Sequence, residues 1–332
     1  MTKARLLAGA ALALLSHASA DAAPRRTPDL ASSELVVRVL DVGQGDATLI
    51  ENGGSRVLID GGPEPSRLGR LLDSLRLNRS TIDAVILTHQ HADHLMGLRA
   101  LFESKRHITV RYFFENKDPY TAANLRHLRD SINARVARRE LVYRDTDDPC
   151  ADGRPICTIT MKGGAKIHIL RPMPAGAGTN PNNRSAAVKL VGPDSASFTM
   201  WFAGDAEQEE IDWFLGDAHY DVNPGMRADV LKADHHGSCN GVTNAYLDAI
   251  KPRWATASVG GVNGYHHMHE QAKAAYRAHG IPWYRTDQNG TIVFRSPGTP
   301  GGKLSVVVQR GTRDMSGPAD AHSPQAQCAL AP

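Results

Sequence analysis

Thr88-His89-Gln90-His91-Ala92-Asp93-His94 gathers three histidines and one carboxylate into a single short run. A hydrophobic core has no use for such a group. Imidazole and carboxylate together suit Zn, Mn or Fe rather than Ca. The run follows Ala84-Val85-Ile86-Leu87, which reads as a buried strand. It precedes Leu95–Phe102, where Leu95, Leu98, Leu101 and Phe102 have helical spacing. The cluster is therefore expected on a strand-to-helix turn, a rigid place to mount a site. On an extended tip His89 and His91 point the same way, while Asp93 and His94 lie beyond the start of the turn and can face a second position. Asp93 is also a possible helix cap. One turn rarely closes a metal site, so further ligands must come from elsewhere.

The elements that position this turn recur later in the chain. A strand over Arg56–Asp60 ends in Asp60-Gly61-Gly62, a helix spans Ser66–Leu75, and the next strand delivers the histidine turn. In the second half a strand over Phe198–Ala203 ends in Gly204-Asp205, a helix spans Glu207–Leu215, and a strand over Asp229–Ala233 ends in Asp234-His235-His236-Gly237-Ser238. Asp60 precedes His89 by 29 positions and Asp205 precedes His235 by 30. This is a repeat of layout, not of sequence. It would bring both histidine turns to one edge of stacked sheets.

Two cations account for this inventory better than one. The first would take His89 and His91, the second Asp93, His94 and one of the pair His235-His236, with Asp205 bridging. Two cations roughly 3.5–4 Å apart can hold hydroxide and stabilise both oxygens of a displacement at phosphorus. The alternatives are a helix N-cap for Asp205 and a solvated loop for His235-His236. Asp60, at the same edge, can accept a proton from a ligand histidine and fix its tautomer, or simply form the turn before its two glycines.

Elsewhere the pattern predicts strands at Glu34–Leu40, Ala47–Glu51 (closed by an Asn52-Gly53-Gly54 hairpin turn), Arg111–Phe114, Gly163–Leu170, Ala187–Val191, Trp254–Val259 and Lys303–Gln309. Trp283–Arg285 and Thr291–Arg295 read as a hairpin. Ala122–Ala137 and Glu270–His279 read as helices, and Pro172–Asn183 as a surface loop. Arg126, Arg129, Arg135, Arg138 and Arg139 share the first of these helices. They could meet a phosphate backbone, but the interspersed Asp130 and Glu140 favour a solvated face. No aromatic interleaving supports single-strand stacking.

The 332 residues, 41% hydrophobic and 22% charged, describe an ordinary globule able to bury a full core. A formal net charge of +3 argues neither for nor against nucleic acid. Met1–Ala20 has a basic start, a short apolar run and Ala18-Ser19-Ala20, the pattern of a secretory signal. Residues 21–33 read as a flexible lead-in, 34–309 as the folded domain and 310–332 as a loosely ordered tail. Export to the periplasm or the medium is expected, without stable membrane insertion. Among four cysteines, Cys150 and Cys157 bracket a turn-rich loop and are the favoured disulfide; Cys239 and Cys328 pair or stay free.

The histidine run, with Gly204-Asp205 and His235-His236-Gly237-Ser238, resembles the metallo-β-lactamase fold. Leu40-Asp41-Val42-Gly43-Gln44-Gly45-Asp46, Asn183-Arg184-Ser185, Leu231–Ser238 and Arg285–Ile292 resemble one branch, the extracellular hydrolase domain of the competence protein ComEC; similar modules occur in bacterial phosphorylcholine esterases. The resemblance spans about Glu34 to Arg295. It implies an α/β fold, a four-layer αββα sandwich. It also implies that His236 is the ligand, that His235 reaches substrate, and that Ser185 supports the ligands.

True β-lactamases place a third histidine on the first cation where this chain has Asn182-Asn183-Arg184-Ser185. They also generally lack the bridging aspartate. Both departures point to phosphodiester chemistry, and the missing histidine makes Mn as plausible as Zn. His267 and His269 match a Gly-His-Pro-His element, here His266-His267-Met268-His269. Either could protonate a leaving oxygen.

The expected function is thus an exported phosphodiesterase or nuclease with two divalent ions, Zn or Mn, working through metal-bound hydroxide. Catalytic roles fall to Asp93, His235, His267 and His269. The substrate carries a phosphodiester, DNA being one candidate, and no protein partner is expected. The alternatives are a β-lactam or thioester hydrolase of the same fold, and a metal-retaining binding module without activity.

Overall fold

The structure is a computed structural model. It describes residues 33–311 except 103–105, 119–122, 175, 177–179, 194–197, 218–224 and 300–301. The expected signal, nearly all of the lead-in and most of the tail, Cys328 included, lie outside the described residues.

In chain order the first strands are β1 (Leu35–Val39), β2 (Thr48–Asn52), β3 (Ser55–Ile59), β4 (Thr81–Ile86), β5 (Thr109–Glu115) and β6 (Val142–Asp145). They are followed by β7 (Ile156–Thr160), β8 (Lys166–Leu170), β9 (Ala187–Val191), β10 (Thr199–Phe202), β11 (Val230–Lys232), β12 (Trp254–Ala257), β13 (Trp283–Arg285), β14 (Ile292–Ser296) and β15 (Ser305–Val308). Among the described residues they form two sheets, ordered β15-β14-β1-β2-β3-β4-β5-β6 and β13-β12-β11-β10-β9-β8-β7. The strands that carry the site pair in parallel: β3 with β4 and β4 with β5, and β10 with β11 and β11 with β12.

Period-two alternation explains the layering. On β3 and β4, Val57, Ile59, Ala84 and Ile86 face a shared core with Ile167, Val188, Met200, Phe202 and Val230 of the second sheet. Their neighbours Leu58 and Val85 point the other way, onto Leu68 and Leu72 of α1 (Pro65–Ser74) and Leu128 and Ile132 of a later helix (Ala123–Ala137). On the outer side of the second sheet, Trp201 and Leu231 pack against Ile211 and Phe214 of a helix at Gln208–Gly216, and against Tyr246 and Tyr276. Parallel strands buried on both faces need apolar residues at consecutive positions, as Ala84-Val85-Ile86-Leu87 provides. The result is the expected αββα order of four layers.

Several local readings are corrected. Leu95–Phe102 is not one helix: it is broken into a turn of α-helix (Ala92–Leu95), a 3₁₀ turn (Met96–Leu98) and a second turn of α-helix (Arg99–Phe102). Trp283–Arg285 and Thr291–Arg295 are not a hairpin. Trp283 registers with Ala255 in the second sheet, whereas Phe294 registers with Val37 in the first, so the chain crosses between layers there. The end of Pro172–Asn183 is not surface: Asn182, Asn183 and Arg184 are buried in a 3₁₀ turn. The strands β6 and β7 and the helix Asn244–Ile250 were not anticipated. Thr243 caps that helix by accepting the Tyr246 N–H at 3.1 Å. Cys150 and Cys157 are joined in a disulfide as expected, and no free cysteine occurs among the described residues. No helix among the described residues is long and apolar enough to cross a membrane.

Candidate metal centre

The histidine turn is held by backbone on three sides. Asp60 N–H donates to the Ile86 carbonyl, Gly61 N–H to the His94 carbonyl at 2.6 Å, and Ala186 N–H, from the second sheet, to the Thr88 carbonyl at 3.0 Å. The loop after β1 closes over it, with Asp46 N–H donating to the Asp93 carbonyl at 3.2 Å. Gly45 makes that approach possible. Its φ is +142°, and a Cβ there would lie 2.2 Å from the Asp93 carbonyl oxygen.

Two sets of donor atoms converge on Asp205. On one side His89 Nε2 lies 3.1 Å from His91 Nδ1 and 3.8 Å from Asp205 Oδ2. On the other, His94 Nε2 lies 3.1 Å from Asp205 Oδ1, and His236 Nε2 lies 3.4 Å from Asp205 Oδ2 and 3.2 Å from Asp93 Oδ2. Candidate ligand atoms of His89, His91 and Asp205 fall within 4.8 Å of one another, as do those of Asp46, His94, Asp205 and His236.

Asp46 and Asp93 compete for a place in the second set. Asp46 meets His236 at Nδ1 (3.3 Å), the nitrogen that also faces the Ser258 carbonyl at 3.0 Å. Asp93 meets it at Nε2. An imidazole that binds a cation through one nitrogen anchors the other, so Asp93 lies on the ligand face and Asp46 behind the ring.

The donor set fits a cation. His94 Nε2 and Asp205 Oδ1 are both buried and neither has a hydrogen-bond partner. Such atoms are costly unless something positive joins them. A proton can serve. Burial alone would depress His94 and His236, yet Asp205 and a second carboxylate on each ring hold both well above the ordinary histidine range. Asp205 is held well below the carboxylate range, because His236 and His94 outweigh its burial. His89, where burial dominates and His94 adds to it, is depressed far below 6.5 and stays neutral, the form that binds metal.

Supporting groups surround these atoms. Asp60 Oδ2 accepts from His94 Nδ1–H at 2.8 Å, and its two oxygens also accept from the Thr88 N–H and hydroxyl at 2.8 Å each. Ser185 Oγ lies 3.4 Å from His89 Nδ1 and accepts the Asp205 N–H at 3.1 Å. His235 and His236 have φ of +46° and +57°, a tight left-handed turn that splays their rings apart. His236 enters the cluster. His235 stands at its edge, 4.0 Å from Asp205 Oδ2, with Nδ1 facing Glu207 and Asn240. A cavity of about 380 Å³ opens here, lined among others by Gln44, His91, Asp93, Asn182, His235 and His267. His269 is placed differently: its Nδ1 accepts the Cys239 N–H at 3.1 Å and its Nε2 donates to the Tyr265 carbonyl at 2.9 Å. Both its nitrogens are engaged within the protein.

A family model described as the metallo-β-lactamase superfamily matches residues 40–112. The fold is a metallo-β-lactamase fold. Two relatives align over most of this chain. ComE operon protein 3 of Bacillus subtilis is 27% identical over 80% of the chain and 33% of its own length. Competence protein ComA of Neisseria gonorrhoeae is 25% identical over 82% of the chain and 33% of its own length. The chain thus spans about a third of the length of the curated relatives it matches. Among solved structures, the metallo-β-lactamase fold protein YhfI from Bacillus subtilis superposes with a TM-score of 0.47 at 14% identity, covering 79% of this chain and 99% of that one.

Four contributors to this candidate centre were not anticipated. Asp46 backs His236 and is itself paired with buried Lys232 at 2.7 Å. Gln44 reaches the cavity wall. Glu207 accepts from Asn182 at 2.6 Å and faces His235. Glu210, fully buried, accepts the N–H groups of Ser185 and Met173 at 3.0 Å and so fixes the segment beside His89. Asp46 and Gln44 lie in the Asp41–Asp46 motif, which could have flagged them; the two glutamates carried no signal beyond the helix pattern. Three of the five arginines on and just beyond Ala123–Ala137 are committed to the fold: Arg129 to Glu115, Arg135 over the Phe102 ring, and Arg138 to Glu140.

Proposed function

We propose that this chain is a metal-dependent hydrolase of phosphodiester bonds with a dinuclear site, exported from the cytoplasm. The observation that carries the reading is the convergence of both histidine turns on the single carboxylate of Asp205. His89, His91 and Asp205 would hold one cation; Asp93, His94, His236 and Asp205 would hold the other. Zn and Mn both suit this donor set. Two such cations supply the positive charge that acidifies water and neutralises the oxygens of a displacement at phosphorus.

The remaining steps fall to the protein. Asp60 and Asp46 orient His94 and His236 from behind. His235, raised above the ordinary histidine range because Glu207 and Asp205 outweigh its burial, can move a proton at the cavity edge. His269 fastens the loop that carries His267. Asn182 stands in the segment where true β-lactamases place a third histidine, and its buried Oδ1 has no hydrogen-bond partner. With a neutral amide there, His89, His91 and Asp205 would be the protein donors to the first cation. The resemblance of the sequence motifs to the ComEC hydrolase domain makes DNA a candidate substrate.

The test is a panel. Purified full chain, loaded with Mn or Zn, is offered DNA, an aryl phosphodiester, phosphorylcholine and a chromogenic cephalosporin. Phosphodiester turnover that EDTA abolishes is expected. Turnover of the cephalosporin alone would reject the reading, and metal binding without turnover of any substrate would replace it with a binding module.

A further inference from the structure

His267 lines the cavity, stacked at 5.7 Å against both Tyr265 and His236 and edge-on to His235 at 5.3 Å. Its Nδ1 lies 3.2 Å from the side-chain nitrogen of Gln44. That amide is not free to turn over. The Gly260 N–H meets its other end at 3.2 Å. A backbone N–H can only donate, so the end it meets is the carbonyl oxygen and the end facing His267 is the NH₂. An NH₂ also only donates. Nδ1 must then be the acceptor, and the proton of a neutral ring sits on Nε2. Gly260 makes this contact close: a Cβ there would fall 2.7 Å from the Gln44 backbone nitrogen.

With Nδ1 accepting from Gln44, the ring carries its single proton on Nε2 and is neutral. Its Nε2 makes no hydrogen bond among the described residues. His235 is held the opposite way. Its Nδ1 faces acceptors, Glu207 Oε1 at 3.2 Å and Asn240 Oδ1 at 3.1 Å, so it carries a proton there.

We propose that Gln44 locks His267 as the Nε2–H tautomer, so that a neutral imidazole offers a hydrogen bond to a phosphoryl oxygen of the substrate and does not act as a base. Gln44 is a positioning residue; His267 is the group that meets substrate. The substrate half of this proposal rests on the phosphodiester reading above; the tautomer does not.

The experiment is long-range ¹H–¹⁵N NMR on the full chain with ¹⁵N-labelled histidine, metal-free and zinc-loaded, with His267→Asn identifying the resonances. In the wild type, Nδ1 is expected to be the unprotonated, pyridine-type nitrogen and Nε2 the protonated one. Gln44→Glu keeps an acceptor for Gly260 but turns an acceptor toward His267. It should invert the tautomer and lower kcat for an aryl phosphodiester roughly 10²-fold, with metal content retained. Gln44→Met, which removes the donor without imposing an acceptor, should give mixed tautomers and a smaller loss. A wild type protonated at Nδ1 would overturn the proposal, as would an inverted tautomer in Gln44→Glu with kcat unchanged. If the wild type hydrolyses no phosphodiester, the functional reading fails and takes the substrate half with it, while the NMR result still decides the Gln44 lock.

Discussion

The two halves of this molecule use one layout to different ends. Each runs from a strand ending in aspartate, through a helix, to a parallel strand ending in histidine. The aspartates nevertheless occupy opposite sides of a single imidazole: His94 Nδ1 is 2.8 Å from Asp60, and its Nε2 is 3.1 Å from Asp205. The difference begins in the backbone. In the first half the left-handed residue is Asp60 itself, at φ +57°; in the second it is Gly204, one position earlier, also at φ +57°. Asp60 is thereby aimed back at Thr88 and the rear of His94, and Asp205 forward into the cluster. The histidine turns differ likewise. His235 and His236 are left-handed, whereas none of the histidines from His89 to His94 is. A one-residue displacement of the kink separates a supporting carboxylate from a bridging one.

Substitutions can break this comparison. The largest effect is expected from Asp205→Asn, which removes the one charge both donor sets share. Bound metal should be lost from both positions and turnover should fall at least roughly 10³-fold. Elemental analysis and kinetics check this, and retention of two metal equivalents would end the bridging role. His91→Ala should remove one of two equivalents and abolish activity, with the circular dichroism spectrum unchanged, because the side chain is half-buried at a loop tip. Asp60→Asn keeps a residue that tolerates a left-handed backbone but loses the acceptor for His94. Metal affinity should drop roughly 10–100-fold, measured by competition with a chelating dye. A loss as severe as that of Asp205→Asn would erase the distinction between the halves. The smallest effect is expected for Gly204→Ala. A left-handed alanine costs about 1–2 kcal/mol, and its Cβ would lie 2.7 Å from Thr88 Oγ1. Urea unfolding should show the loss, with any residual activity tracking the folded fraction.

The four-layer fold was legible because apolar alternation on Val57-Leu58-Ile59 and leucine spacing in α1 encode faces locally. Where that code is short or diluted it failed. The edge strand β7 alternates threonine with partly exposed apolar residues, and Asn244–Ile250 has only seven residues. The supposed hairpin at Trp283–Arg295 failed for another reason. Nearness in sequence suggests pairing, but the partners of Trp283 and Phe294 lie in different sheets.

The candidate site divides along the same line. The donors were readable as residue types at strand ends: His89, His91, Asp93, His94, Asp205 and the pair His235-His236. So was the place for Asp60 behind them, since strand ends are where a chain must leave a rigid sheet.

By itself, then, the sequence determined which chemical groups this protein owns and at which edge of its sheets they emerge. The tertiary structure alone decided which atom of each group faces which. It set His236 rather than His235 against Asp205, put Asp46 and Lys232 behind it, engaged both nitrogens of His269, and directed an NH₂ of Gln44 to His267. The physical reason is range. Strand and helix periodicities are set by neighbours a few residues apart, whereas the orientation of an imidazole is set by hydrogen-bonding partners at any sequence distance, as Gln44 lies 223 positions from His267.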